Sequence, residues 1–407
     1  MEYDKNKIKF KDFIELKRGY DLPTKDRIEG NIPIISSSGV SGKHDIEKVK
    51  GPGVVTGRSG LIGSVYYESK DFWPLNTTLY VKNFKGNNPK YVYYFLKTMN
   101  LKNFQTGSSV PTLNRNHLDN IEVTIHEKNK QVQQIKVLDN IDKKIENNQK
   151  IIANLEELSQ TLFKRWFVDF EFPDENGNPY KSSGGEMVDS ELGKIPKYWK
   201  VSNLDKIASF VSRGITPKYN ENSDIQIPII NQKVNKGPRL DLQYIKYFDG
   251  QNRIKKELYA QKNDLLLNSL GQGTLGRIHL FTRKSEVFLI DQHISIIRFD
   301  NINYSYFYYA HINTELIQGQ IDSLISGSTG MLMLNITKIR NLKVILPTEE
   351  LVLKYSKLVN EYFGKITQLI YENENLTQLR NTLLPKLMSG EIEIPTDIEV
   401  NEDELSI

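Results

Sequence analysis

The 407-residue chain contains no cysteine and only six histidines, and both scarcities limit its chemistry. Without cysteine it can form neither a disulfide nor a thiolate metal site. The histidines are scattered and show none of the close pairings that a zinc site uses, so we expect no metal site. The absence of cysteine suits a reducing cytoplasm, where we expect the protein to reside.

Long apolar runs are also missing. No stretch approaches the roughly 18 consecutive apolar residues of a membrane-spanning helix. The opening MEYDKNKIKF lacks the apolar core of a secretory signal. We therefore expect no contact with a membrane, and the length favours two or three domains.

Charge is low overall but unevenly distributed. The total is +4, and the tail 391–407 contains seven acidic residues and no Lys or Arg, so residues 1–390 carry +11. A basic body favours a polyanionic partner such as nucleic acid, although many soluble proteins of this size are equally basic.

The chain repeats itself. The segment TGSSVPTLNRNHLDNIEVTI (106–125) matches SGSTGMLMLNITKIRNLKVIL (326–346), and from Asn114 and Asn335 onward the two copies stay 221 residues apart. Upstream, YVYY (91–94) matches YFYY (306–309) and LKRG (16–19) matches VSRG (211–214), at smaller separations. An ordered series of matches of this kind predicts an internal duplication.

Each copy has a mixed front part and a helical back part. Short β-rich runs such as IPII, at 32–35 and 227–230, alternate with Gly, Pro, Asn and Ser clusters, and a Tyr-rich helical segment follows. The back parts carry apolar residues at heptad spacing, which predicts two long helices. Their apolar seams contain Leu138, Ile145, Ile152, Leu155 and Leu162 in the first, and Ile366, Leu369, Leu376 and Leu383 in the second.

A long apolar stripe needs a partner, because it cannot be left in water over the roughly 60 Å length of such a helix. We expect the two helices to pair as an antiparallel coiled coil, with the polar Asn148 and Asn373 fixing the register. The alternative is that each helix packs on its own mixed domain. The predicted fold is α+β, with two mixed α/β domains separated by two long antiparallel helices and an internal pseudo-twofold duplication. The predicted segments are 1–127 and 199–347 (mixed domains), 128–168 and 348–390 (helices), 169–198 (a loop-like connector) and 391–407 (an acidic tail).

The segment GQGTLG (271–276) fits the G-x-G-x-x-G pattern of dinucleotide-binding proteins. That pattern requires a helix after the glycines. Here RIHLFT follows, which alternates like a strand, and the first copy, GPGVVTGRSGLIGSVYY (51–67), lacks the pattern. We predict a hairpin turn in both copies and no nucleotide cofactor.

The polar turns recur at matching places in both copies, which makes them candidates for nucleic-acid contacts. Arg, Asn and Gln read base edges, Ser and Thr suit bases or phosphates, and glycine lets backbone N–H groups approach a phosphate. For any single residue the alternative is an ordinary Gly-Ser loop, and for the Arg residues of LKRG and VSRG it is a structural ion pair. The candidates are Arg18, Ser36, Ser37, Lys43, Arg58, Ser59, Ser108, Ser109 and Arg115 in the first copy, and Arg213, Gln232, Lys233, Ser269, Gln272, Thr274, Arg277, Ser328 and Thr329 in the second.

Three longer motifs point to one family. They are ANLEELSQTLFKRWFVDFEFP (153–173), NGNPYKSSGGEMVDSELGKIPKYW (176–199) and LTQLRNTLLPKLMSGEI (376–392). With two variable mixed domains, each followed by a similar helix, the chain resembles the specificity subunit of a Type I restriction-modification system. The resemblance covers nearly the whole chain.

The resemblance implies that each mixed domain is a target-recognition domain reading one half of a split double-stranded DNA sequence. The helices would form an antiparallel coiled coil that sets the spacer and docks two methyltransferase (M) subunits, which hold the methyl donor. Restriction (R) subunits, which use ATP, would complete the assembly, and this chain would be non-catalytic and hold no cofactor. Three alternatives stay open: a specificity protein for a fused methyltransferase-nuclease, a coiled-coil scaffold that binds no DNA, and an enzyme that uses GQGTLG for a cofactor.

Overall fold

The computed structural model describes residues 5–106, 111–217, 219, 224–250, 254–327 and 332–394. The chain divides into two compact units, which consist of residues 1–148 with 372–407 and of residues 149–371. Each unit therefore contains one mixed domain and a part of each long helix.

The first unit consists mainly of short strands. They are β1 (Lys5–Lys9), β2 (Glu15–Arg18), β3 (Ile32–Ser36), β4 (Gly39–His44), β5 (Gly53–Gly57), β6 (Val65–Glu68), β7 (Trp73–Pro74), β8 (Thr78–Asn83), β9 (Gln105–Thr106), β10 (Thr112–Leu113) and β11 (Glu122–His126). Its helices are α1 (Phe10–Phe13), α2 (Pro89–Thr98), α3 (Arg115–Asp119) and the start of the long α4 (Lys128–Phe163). The Tyr-rich α2 begins where Pro89 follows Asn88, whose side chain accepts a hydrogen bond from the Lys90 N–H and caps the helix.

The second unit begins with the end of α4, which continues as a π-helical turn at Lys164–Val168. Its strands are β12 (Met187–Ser190), β13 (Gly193–Pro196), β14 (Lys200–Asn203), β15 (Phe210–Arg213), β16 (Gln226–Ile230), β17 (Lys246–Asp249), β18 (Leu265–Asn268), β19 (Ile278–Leu280), β20 (Leu289–Ile290), β21 (Ile294–Arg298) and β22 (Lys343–Leu346). Its helices are α5 (Ile302–Ile312), α6 (Glu315–Leu324), α7 (Ile336–Arg340) and most of α8 (Glu349–Ser389). Short 3-10 turns lie at Thr24–Asp26, Leu101–Phe104, Leu204–Lys206, Leu242–Tyr244 and Lys256–Leu258.

The two units share one topology. A four-stranded sheet has the order β2-β8-β5-β6 in the first unit and β15-β21-β18-β19 in the second. A three-stranded sheet has the order β4-β3-β7 in the first and β17-β16-β20 in the second, and in both the short third strand is parallel to the central one. A two-stranded sheet joins β1 to β11 and β14 to β22. The duplication predicted from the sequence is therefore a duplication of fold.

Segments of the two long helices pack against each other in each unit. In the first unit, Gln134 Nε2 donates to the Leu387 carbonyl at 2.7 Å and Arg380 pairs with Asp142 at 2.6 Å, so the segments run antiparallel. The fully buried Leu138 lies in one apolar core with Leu384 and Leu387. In the second unit, Ile152 shares a core with Ile366 and Leu369. The remaining seam residues are half-buried: Ile145, Leu155, Leu162, Leu376 and Leu383.

The predicted loop-like connector contains more structure than the sequence indicated. Strands β12 and β13 pair as a hairpin within it, and Phe172 stacks on both Tyr180 and Trp199, with ring centroids 4.6 and 5.5 Å apart. The Gly, Pro, Asn and Ser residues mark the turns of this segment, whereas its aromatic residues supply a core. This packing could not be read from local composition.

Pro385 lies inside α8, although proline usually ends or kinks a helix because it lacks an N–H. The neighbouring Leu384, Leu387 and Met388 are buried in the core of the first unit. Tertiary packing therefore outweighs the local preference, as it does for most helices in proteins.

Within the described ranges, no helix combines the length and the apolar composition that a membrane span requires.

Candidate nucleic-acid interface

The GQGTLG segment forms the loop of a hairpin. Strands β18 and β19 pair antiparallel on either side of it, as β5 and β6 do around residues 58–64. Gly271, Gly273 and Gly276 have φ angles of +106°, +75° and +79°, which residues with a Cβ rarely adopt. The glycines therefore serve the turn, and the predicted hairpin is confirmed.

Three segments meet at this hairpin in the first unit. The backbone N–H groups of Arg58 and Ser59 donate to the Thr77 carbonyl at 2.8 and 3.1 Å. Ser64 Oγ donates to the Ser37 carbonyl at 2.6 Å, and the Ser37 N–H approaches Thr77 Oγ1 at 3.4 Å. We call residues 36–39, 58–64 and 75–77 the first rim.

The second unit builds the same frame from different residues. The N–H groups of Ser269 and Leu270 donate to the His293 carbonyl at 2.9 and 3.2 Å, as Arg58 and Ser59 do to Thr77. Asn268 Nδ2 approaches the carbonyls of Gln232 and Asn235 at 3.4 and 3.3 Å, which ties the hairpin to the turn after β16. We call residues 231–237, 269–277 and 291–293 the second rim.

The Arg-Gly pairs of LKRG and VSRG have a steric explanation. A Cβ on Gly19 would lie 2.2 Å from the Leu75 carbonyl oxygen, and one on Gly214 would lie 2.1 Å from that of Ile290. The chain at the end of β2 passes very close to the end of β7, and the chain at the end of β15 passes equally close to β20. Only glycine fits at these two points. The repeated glycine thus holds each rim segment against its sheet.

Several candidates of the first unit have free polar surface. Arg18 is exposed at the end of β2, and Lys43 is exposed on β4. Ser36 Oγ donates to the Gly39 carbonyl at 2.9 Å, and the half-buried Arg58 Nη1 reaches the Asn76 carbonyl at 3.5 Å. The bond to Asn76 uses only Nη1, so the other N–H groups of the Arg58 guanidinium can bind a ligand.

Other candidates of the first unit support its backbone. Arg115 donates from Nη1 to the Leu16 carbonyl at 3.2 Å, so it braces α3 against β2. Ser37 is nearly buried and presents its carbonyl to Ser64 and Tyr66. Ser108 and Ser109, like Ser328 and Thr329 of the second copy, lie outside the described residues.

The second hairpin loop exposes Gln272 and Arg277, and Lys233 is exposed on the adjacent turn. Arg277 Nη2 donates to the Gly273 carbonyl at 3.0 Å, and Thr274 Oγ1 donates to that of Gly271 at 3.2 Å. A Cβ on Gly271 would lie 3.6 Å from the half-buried Gln232 side chain, which places Gln232 beside the loop.

Two candidates of the second unit have structural contacts. Ser269 is fully buried, donates from Oγ to the His293 carbonyl at 3.3 Å and accepts a hydrogen bond from Ser295 at 3.0 Å. Its hydroxyl is therefore not available at the surface. Arg213 is half-buried and donates from Nη2 to the Leu334 carbonyl at 3.2 Å rather than to an acid.

A polar network at the second rim was not predicted from the sequence. The carboxylate of Asp291 is buried and accepts hydrogen bonds from the His293 N–H at 2.8 Å and from the Tyr219 hydroxyl at 3.0 Å. The ring Nδ1 of His293 also bonds to this carboxylate. An Asp-x-His sequence directly after an apolar strand was the only local signal, because Tyr219 is distant in the chain.

Two lysines of the second unit lie over tyrosine rings, and one of these rings is that of Tyr219. Lys246 Nζ is 4.8 Å from the centre of the Tyr219 ring, and Lys236 Nζ is 4.6 Å from that of Tyr244. Burial and the nearby Asp291 carboxylate raise the pKa of Tyr219, so its hydroxyl stays a proton donor. Among the described residues, no group of three or more acidic, His or Cys side chains could hold a metal ion.

Comparison with known proteins agrees with this geometry. Residues 2–157 and 196–377 match the family described as the Type I restriction modification DNA specificity domain. The chain is 28% identical over 313 residues to the Type I restriction enzyme MjaIX specificity subunit of Methanocaldococcus jannaschii, which covers 75% of this chain and 69% of the relative. It is 24% identical to the HindI specificity subunit of Haemophilus influenzae, over 70% of this chain and 72% of that protein. The Type I S subunit of M. genitalium has the same fold, with a TM-score of 0.59 and 18% identity over 97% of this chain and 98% of that one.

Proposed function

The chain belongs to the Type I restriction-modification DNA specificity family, and from that premise we propose that each of its two units reads one half of a split DNA target. The observation that carries this proposal is the pair of rims, which share one backbone frame and differ in side chains. A common frame would dock each unit on the double helix in the same way. Different side chains on that frame would then read different bases.

Lysine and arginine side chains around the rims would hold phosphates. Arg18, Lys43, Lys233 and Arg277 are exposed, and such cations contribute affinity that depends on salt. Base contacts would come from the hairpin loops, above all from Arg58, Gln272 and Arg277, because arginine reads guanine and glutamine reads adenine. Ser36, Ser59, Thr274 and Gln232 would supply shorter polar contacts. We do not assign Ser269 to the interface, since it is buried.

The long helices would pair over their whole length as an antiparallel coiled coil and set the spacer between the two half-sites. The antiparallel segments of the first unit support this proposal. The helices also expose large apolar side chains, including Val132, Leu158, Leu353 and Leu379 at 57%, 49%, 51% and 48% of their surface. Exposed apolar surface of this extent suits a protein partner, and we propose that it docks two methyltransferase (M) subunits.

The chemistry would lie in the partner subunits. The M subunits would hold the methyl donor, restriction (R) subunits would use ATP, and this chain would supply sequence recognition only. A specificity protein that serves a fused methyltransferase-nuclease would use the same rims, so the partner that co-purifies with the full chain distinguishes the two assemblies.

Methylation mapping tests the proposal. Cells that express the full chain with its methyltransferase partner should methylate adenine within one split motif, and cells that lack the chain should not. A motif without a spacer, or methylation that persists without the chain, would contradict the proposed function.

A further inference from the structure

The segment after the short parallel strand occupies the same place in both units. Leu75 N–H donates to the Ile35 carbonyl, and Asp291 N–H donates to that of Ile230. The carbonyls of Thr77 and His293 each accept two N–H groups from the hairpin loop. Residues 75–77 and 291–293 are therefore structural equivalents, fixed to the frame on both sides.

The side chains at these equivalent positions differ in chemistry. The first unit has Leu75 and Thr77 where the second has Asp291 and His293. Leu75 is buried in an apolar cluster, whereas the buried Asp291 is a carboxylate surrounded by hydrogen-bond donors. Folding does not require a carboxylate here, because the first unit builds the same frame without one.

The Asp291 carboxylate fixes the orientation and the tautomer of His293. An ionised carboxylate only accepts hydrogen bonds, so the Nδ1 that faces it must carry the proton. In a neutral ring the second nitrogen, Nε2, is then an acceptor. Tyr219 donates to the other carboxylate oxygen and holds the acid in place.

The ring of His293 is open to the surface. Its side chain is 34% exposed, against 2% for Asp291, and among the described residues no hydrogen bond occupies Nε2. Lys246 lies over the ring of Tyr219, whose hydroxyl contacts Asp291, so the same network includes a cation. His293 Nε2 is thus a pre-oriented acceptor next to an exposed loop, in a network that includes the cation Lys246. In such an arrangement the histidine could read a base while the lysine holds a phosphate.

We propose that His293 is a specificity-determining residue of the second unit, and that its Nε2 accepts a hydrogen bond from the exocyclic amino group of adenine or cytosine in the major groove. Asp291 and Tyr219 are positioning residues. The inference rests on the proposed function, and it names the class of base that one position of one half-site must hold. Adenine and cytosine are the only bases that present an amino donor in that groove.

Selection of bound duplexes from a random pool tests this role, with the full chain and its methyltransferase partner. The unsubstituted protein should select adenine or cytosine at a position that His293→Ala relaxes. We expect a loss of about fivefold in preference there, the lower end of what a good base contact contributes. All other positions of both half-sites should keep their preference. The control Thr282→Ala removes a polar side chain beyond the far end of β19 and should leave every position unchanged.

The substitution His293→Gln provides a second measurement. Glutamine offers an acceptor and a donor, so the variant should keep adenine and lose cytosine at the same position. A protein in which both His293 variants select the same bases as the unsubstituted chain would overturn the inference. So would an equal loss of affinity at every position.

The positioning role of Asp291 requires a test of coupling. Asp291→Asn keeps the shape of the side chain but removes the charge that fixes the Nδ1 proton. We expect it to weaken selectivity at the His293 position only, and to have no further effect there when combined with His293→Ala. Additive losses would mean that Asp291 acts on structure and not through His293.

The proposed function and the role of His293 can fail separately. If the unsubstituted protein selects no split motif, the proposed function itself is wrong. If it selects one and the His293 variants leave that motif intact, only the inference about His293 is wrong.

Discussion

Asn148 donates a hydrogen bond from Nδ2 to Asn373 Oδ1 at 3.0 Å, where α4 and α8 lie side by side in the first unit. The same amide donates to Glu372 Oε2 at 3.0 Å, and only 1% of the Asn148 surface is exposed. A polar pair in an apolar seam, with Asn148 buried and Asn373 half-buried, is satisfied in one register only. This contact is the basis of the first prediction.

Replacing Asn148 should reduce stability. Asn148→Ala would remove the donor that the half-buried Asn373 and Glu372 acceptors share, which costs about 1 kcal/mol of unfolding free energy. The double change Asn148→Leu with Asn373→Leu should restore stability but specify the register less strictly. Urea unfolding measures the first effect, and the range of spacer lengths among selected DNA sites measures the second. A single sharp spacer in the double variant would contradict the register role.

Arg58 and Arg277 should each affect one half-site. Arg58→Ala removes a half-buried guanidinium from one hairpin loop and Arg277→Ala an exposed one from the other, so each should relax one base position by about tenfold. Sequencing of DNA selected from a random pool provides the measurement. Arg115→Ala is the matched control, because that side chain contacts the Leu16 carbonyl, and it should lower stability without changing the motif. Equal relaxation of both half-sites by either variant would contradict the division of labour.

Two buried histidines should make the second unit sensitive to acid. Burial lowers the pKa of His279 to about 4 and that of His311 to about 3. Because the unfolded chain binds protons below about pH 6.5 and the folded chain does not, stability should fall as the pH drops from about 6.5 to about 4. Each histidine should contribute about 2–3 kcal/mol to the loss at about pH 4.5.

Urea unfolding at neutral pH and at about pH 4.5 measures this effect. In His311→Gln, the part of the pH dependence that is due to His311 should disappear. The Ile345 N–H now donates to His311 Nε2, and the amide oxygen of the glutamine can accept the same hydrogen bond. An unchanged difference between the two pH values would refute the assignment.

Gly19 and Gly214, which follow the matching residues Arg18 and Arg213, should tolerate no side chain. Gly214→Ala would place a Cβ 2.1 Å from the Ile290 carbonyl oxygen, and Gly19→Ala would place one 2.2 Å from that of Leu75. We expect each to lower stability by about 1–3 kcal/mol through forced backbone movement. Gly319→Ala, in α6 with nothing within 4 Å of its Cβ, should instead raise stability by about 0.5–1 kcal/mol. Thermal unfolding of the three variants separates the effect of a steric clash from the effect of replacing glycine by alanine as such.

The sequence was most informative where its signals are local or repeated. The duplication, the long helices and the hairpin around GQGTLG follow from periodicity, matched segments and turn residues. The β12–β13 hairpin was missed because the segment is rich in Gly, Pro, Asn and Ser, while the aromatic contacts among Phe172, Tyr180 and Trp199 form only in three dimensions.

The candidate site was harder to predict residue by residue. The repeated polar turns led to both rims, but composition could not separate the exposed Arg277 from the buried Ser269. The Asp291 network depends on Tyr219, which reaches the carboxylate from a distant part of the chain. Contacts of that kind have no periodicity and no fixed spacing, so only coordinates reveal them.

The core around Leu138 also contains Leu384, Leu387 and Met388, from the last turns of α8. The first unit is thus completed by residues that are synthesised after the whole of residues 149–371, which form the second unit. A premature stop after Tyr371 would therefore damage the earlier-made unit and spare the later one. In genetic terms, nonsense mutations at codons 372–388 should behave as lesions of the first unit.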